Sequence, residues 1–201
     1  MRTTASSLTL DAEMDERAAQ AFALRIAPSA AAVANFCDHV EHNELADRAW
    51  VLDAGAHLRL ATTEVCIAYE LSFIDLFAER LGAIEARNVL HAPGTFDGHQ
   101  AALTARTWRD LQIAQVAHDR CYHPDVIGLS KLEQLRHFAL HLAKLVGAFA
   151  LPDDLADLVH HRLPDAALFG IKLSTVMGVR LADDPLPTLP TQATAGTSSS
   201  S

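Results

Sequence analysis

Apolar residues recur along this chain with helical rather than strand periodicity, most cleanly between Thr107 and Ala150. Leu135, Phe138, Leu142, Leu145 and Phe149 follow the 3, 4, 3, 4 spacing that lines up one side of a helix. Gln134, His137, His141 and Lys144 form a polar stripe beside it. An earlier helical pattern runs to about Tyr122, and His123-Pro124-Asp125 separates the two, because proline disfavours helical geometry in the residue before it.

The same reading predicts a first helix over Leu10–Ile26, stopped by Pro28, and a short alanine-rich helix capped by Ser29 and ending near His42. Glu44 to Leu81 reads as one long helix or two, with Gly55 the natural bend. His91-Ala92-Pro93-Gly94 is turn chemistry, and Thr95 or Asp97 would cap the helix carrying Trp108. Leu151-Pro152-Asp153-Asp154 opens a short helix, and Pro164-Asp165 opens a last core helix through Leu168, Ile171 and Val176. No alternating run suggests a strand. The expected fold is therefore all-α, a single-domain bundle of six or seven helices over residues 9–182. Residues 1–8 and the Pro/Thr/Ser-rich stretch 183–201 lack the apolar content to join a core and are expected to be disordered.

Composition narrows the function classes. Half the residues are hydrophobic but few are aromatic, so alanine and leucine must fill the core. A net charge of -9 with no basic run argues against nucleic acid, which is gripped by clustered Lys and Arg. Cys37, Cys66 and Cys121 are odd in number and widely spaced, suggesting neither a disulfide framework nor a zinc finger. With no signal-type leader and no 18-residue apolar window, a cytoplasmic protein without a membrane span is expected.

Eleven histidines are many for this length, and several fall together. His137 and His141 stand one turn apart, with His118-Asp119 at the end of the preceding helix and His123 and Asp125 in the connection, so these residues can converge. Lys144 beside the two histidines would repel a divalent cation and attract a phosphate or carboxylate. Glu64 lies among Leu60, Ala61, Ile67 and Ala68 and is the best candidate for a core carboxylate, although pairing with Arg59 at the surface is an equally simple role. No glycine-rich phosphate loop or nucleophile elbow occurs.

Trp108, Leu111-Gln112, Pro124, the stretch His141-Leu142-Ala143-Lys144-Leu145-Val146-Gly147-Ala148-Phe149 and the run Leu163 to Asp184 resemble the MazG-like all-α nucleoside triphosphate pyrophosphohydrolases. The resemblance covers about 75 residues and implies the fold. In that family, glutamates of the central helix and a later acidic pair hold magnesium against the phosphates. Here Lys144, Leu145 and Ala148 stand at the glutamate positions and only Asp165 of the acidic pair remains, which implies that the family's activity is lost or replaced. His118-Asp119 is also similar to the metal-binding dipeptide of the HD phosphohydrolases, which would call on His57 and Asp165; a cap or ion pair of Asp119 with Arg120 or Arg136 is the plainer role.

Three functions follow as expectations. The first is a divergent MazG-like protein binding a small phosphorylated or anionic ligand through His137, His141 and Lys144, with His118, His123 and Asp125 at the mouth. The second is a metal-dependent hydrolase or oxidase with Glu64, His118, His137 and His141 as ligands to a divalent metal. The third is a catalytically silent scaffold in which Lys144 sits inside the bundle and neutralises Glu64 or Asp165. A homodimer would suit a helical protein of this size.

Overall fold

A computed structural model describes residues 14–88 and 95–188. The helices are α1 (Glu16–Glu41), α2 (Arg48–Ala68), α3 (Phe73–Asn88), α4 (Gly98–Thr104), α5 (Trp108–Tyr122), α6 (Pro124–Ile127), α7 (Lys131–Ala150), α8 (Leu155–Asp157) and α9 (Leu163–Val176). A π-helical turn, Leu158–Arg162, joins α8 to α9. No strand occurs among the described residues, and the molecule is the all-α single-domain bundle that the periodicity predicts.

The organising element is α9. Of its residues only Thr175 is not fully buried, because α2, α3, α5 and α7 surround it. A helix apolar on every side is one that belongs in the middle. Outside it, α1 packs antiparallel to α7, with Phe22 against Phe149 at one end and Glu41 paired to Arg136 at the other. Every residue of the α7 stripe, Leu135, Phe138, Leu142, Leu145 and Phe149, is buried as its spacing predicts.

The boundaries differ from expectation in instructive ways. Pro28 does not stop α1, which continues to Glu41. The carbonyl deprived of its donor belongs to Leu24, and Leu24 and Pro28 both lie on the exposed side, where water can take the missing bond. Ser29 is consequently not a cap; it is buried in mid-helix, its Oγ 3.0 Å from His57 Nδ1 on α2.

Gly55 does not bend α2 either. It lies where α2 crosses α9 against Gly170, and a Cβ on Gly55 would come within 2.9 Å of the Gly170 carbonyl oxygen. The break between α2 and α3 falls instead at Glu70, which adopts a left-handed φ of 53°, while Leu71 N–H donates back to Cys66 O at 2.8 Å. The end of α1 is built the same way, with Asn43 at φ 56° and Glu44 N–H donating to His39 O at 2.8 Å.

Asp97 does cap a helix, but it is the separate α4; α5 starts from a Thr107–Asp110 capping box and α7 from Ser130–Glu133. The connection His123-Pro124-Asp125 leads into the single turn α6. Residues 183–188, expected to be part of a disordered tail, dock on the start of α5: Trp108 N–H donates to Asp184 O at 3.1 Å, Leu186 N–H to Arg106 O at 3.0 Å, and Leu186 is buried. The expectations for 1–8, for the turn at His91–Gly94 and for 189–201 lie outside the described residues.

Candidate functional site

After Asp165 in its first turn, one charged residue interrupts the apolar central helix. Lys172 is 8% exposed, and its ammonium lies 3.0 and 2.9 Å from the two carboxylate oxygens of Asp119 on α5, which is 2% exposed. Gln115, one turn earlier, donates to the same carboxylate at 2.6 Å. Desolvation, the largest single influence, would lift the Asp119 carboxyl, yet Lys172, His118 and His123 together outweigh it and the group is held below its ordinary range. Asp119 is therefore an anion within the core, bound to Lys172 rather than to Arg120 or Arg136.

His118 occupies the opposite side of that carboxylate and is 1% exposed. Its Nδ1 lies 3.5 Å from Asp119 Oδ1 and its Nε2 3.8 Å from Glu85 Oε1. Both contacts are too long or poorly aimed for hydrogen bonds, so neither ring nitrogen has such a partner among the described residues. Glu85 instead accepts from Gly98 N–H at 2.6 Å. Only glycine fits there, since a Cβ on Gly98 would come within 2.5 Å of Glu85 Oε1 and 2.8 Å of His118 Cδ2.

Three half-buried histidines gather on the solvent side of Lys172. His123 lies 6.1 Å from His118 between ring centroids, His137 and His141 are 4.6 Å apart, and His141 stacks on Phe169 at 5.4 Å. The Lys172 ammonium lies 5.7 Å from the same Phe169 ring. Burial lowers the basicity of all three rings, and Lys172 lowers that of His123 and His137 further; His141, acted on after burial by His137, Lys144 and Lys172 in that order, falls to about 4. At neutral pH the cluster consists of uncharged imidazoles facing a fixed cation.

His118, His123, His137 and His141 lie in one neighbourhood, while Asp125 and Lys144 are exposed. Lys144 faces water rather than the centre of the bundle, so it neutralises neither carboxylate assigned to it. Glu64 pairs with Arg25 of α1 on the outer face. Asp165 is gripped by Arg80 of α3 at 2.6 and 2.8 Å, and burial pushes its carboxyl upward against the pull of that guanidinium.

The set Glu64, His118, His137 and His141 is thus not assembled, and no three His, Cys, Asp or Glu side chains among the described residues are placed to hold a metal ion. The HD arrangement fails for the same reason, with His57 engaged by Ser29 and Asp165 by Arg80. Cys37, Cys66 and Cys121 are buried and in no disulfide, and burial pushes the Cys66 thiol up to about 12, far from a nucleophile's range.

No model of a known protein family matches the chain, and no curated protein or solved structure does.

Lys172, Gln115 and Phe169 are the members that the sequence reading missed. A signal for the first exists, since Lys172 is the one charge inside Leu163–Val176 after the first turn, and a lysine there must find an anion or stay neutral.

The lowered histidines make stability depend on pH. Below 6.5 the unfolded chain takes up a proton on His141 that the folded protein refuses until about pH 4. The folded value lies under the unfolded one, so stability is full above 6.5 and is lost as pH falls towards 4. After allowance for solvent screening of a half-buried ring, the expected loss is about 1–3 kcal/mol. Urea unfolding at pH 7, 5.5 and 4.5 measures it, and His141→Gln is expected to flatten the curve.

Proposed function

We propose that the protein binds a small anionic, phosphorylated ligand at the histidine cluster. The observation that carries this reading is the convergence of three half-buried, neutral histidines on one buried ammonium, Lys172. An incoming phosphate would lie beside the Lys172–Asp119 pair, and each nearby imidazole could take up a proton to add a charge-assisted hydrogen bond. Asp125 and Lys144 are exposed nearby.

A divergent MazG-like ancestry suits this reading, because Leu145 and Ala148 at glutamate positions would leave no ligands for a phosphate-bridging metal and Lys144 would offer a cationic contact in its place. Hydrolysis is not part of the proposal.

Calorimetric titration with inorganic phosphate, a nucleoside monophosphate and a sugar phosphate tests it. At least one is expected to bind, about tenfold more tightly at pH 6 than at pH 7.5, with uptake of protons visible as a dependence on buffer ionisation heat. The double variant His137→Gln, His141→Gln is expected to lose about tenfold in affinity and that uptake. No binding by any of the three at millimolar concentration would overturn the reading.

A further inference from the structure

The opposite flank of α5 carries a second arrangement that the histidine cluster does not use. An open groove of about 420 Å³ runs between that flank and the chain leaving α9, with Arg109 and Arg120 on one side and Arg180 on the other. Its size falls in the range of small-molecule sites. Ile113, 61% exposed, and the side chains of Val116 and Val179 give it an apolar floor.

The far wall is fixed rather than loose. Gly178, at a left-handed φ of 74°, reverses the chain after α9. Gln112, buried beneath, then holds the returning segment by three bonds: its amide nitrogen donates to Thr175 Oγ1 at 3.1 Å and Val179 O at 2.9 Å, and its oxygen accepts from Leu181 N–H at 2.8 Å. A side chain with all its contacts inside the protein keeps the groove open at little entropic cost to a ligand.

The charge is unusual for this protein. Acidic residues outnumber basic ones 25 to 16, yet Arg120 and Arg180 have no carboxylate within ion-pair distance among the described residues. Arg109 pairs with the exposed Asp183 at 3.2 Å. Guanidinium forks match the oxygens of a phosphate dianion, and two of them free over an apolar floor select a phosphate attached to an apolar body over the bare ion.

We infer that this groove is a second binding site, independent of the histidine cluster, for a phosphate monoester carried on an apolar or aromatic group. Phenyl phosphate is a suitable probe, followed by amide NMR shifts in the full chain. The expected result is saturable movement of the Ile113, Val179 and Arg180 amides, at least tenfold weaker with inorganic phosphate and absent with phenol. Both arginines are exposed, so Arg120→Gln, Arg180→Gln should leave the fold intact while weakening the response at least tenfold. The double variant His137→Gln, His141→Gln should leave it unchanged, which separates this site from the proposed one. Amides that stay still, that answer equally to inorganic phosphate or phenol, or that are indifferent to loss of the two arginines would overturn the inference.

Discussion

Replacing Lys172 by methionine is expected to destabilise the protein by about 3–5 kcal/mol, the cost of leaving a buried carboxylate without its cation. Asp119 is 2% exposed, and after the substitution only Gln115 would bond to it. The double variant Lys172→Met, Asp119→Leu is expected to recover most of that loss, since an apolar pair of similar volume carries no desolvation penalty. Urea unfolding of the two single variants and the double one closes the cycle. A single variant within 1 kcal/mol of wild type would mean that the pair is hydrated, and that the field assigned to Lys172 at the histidines is screened. The recovery matters as much as the loss: if apolar residues serve the fold equally well, stability alone does not call for an ion pair under the histidines.

The second large effect is expected at the crossing of α2 and α9. A Cβ on Gly170 would lie 2.6 Å from the Gly55 carbonyl oxygen, 3.0 Å from Arg59 Cγ and 3.3 Å from Arg59 N. Backbone cannot yield as a flexible side chain can, so Gly170→Ala must push the two helices apart. It would also disturb Arg59, whose Nη1 donates to Gly170 O at 3.0 Å and whose guanidinium lies 5.6 Å from the Trp108 ring centre. The expected cost is about 3 kcal/mol by thermal or urea unfolding. Gly147→Ala is the control: nothing stands within 4 Å of its Cβ, it is exposed within α7, and the substitution is expected to stabilise by about 0.5–1 kcal/mol. Equal effects at the two glycines would contradict the close crossing.

These positions also mark where sequence patterns stop being informative. The α7 stripe was legible because burial of a helix face is a local property of spacing, and Leu135 to Phe149 repeat it over four turns. The convergence of His118, His123, His137 and His141 followed from two helices joined by a short connection. Lys144 faces water because the polar line through His137 runs along the edge of the buried stripe, and a residue seven further on, about 20° short of two full turns, falls on the exposed side.

Glu64 takes the surface ion-pair role, but with Arg25 rather than Arg59. Its apolar neighbours in sequence do not say which helix lies alongside, and the partner turned out to be Arg25, 39 residues away. Asp119 and Lys172 are 53 residues apart, and their pairing depends on α9 threading the middle of the bundle, a topological fact that no local window contains. Pro28 and Gly55 both read as interruptions from their intrinsic preferences. Packing overruled each, since Pro28 lies on a face open to water and Gly55 is required by the approach of α9.

Histidine-resolved NMR tests the central claim most directly, by following the Cε1–Hε1 resonances from pH 4 to 8 with and without a saturating nucleoside monophosphate. If the cluster over Lys172 is the ligand site, the midpoints of His137 and His141 rise by about one pH unit or more with the ligand, as a bound phosphate stabilises the protonated rings. The exposed rings of His42 and His160 should not respond to it. Identical titration curves for His137 and His141 in the two samples, with the ligand shown to be bound, would contradict the account.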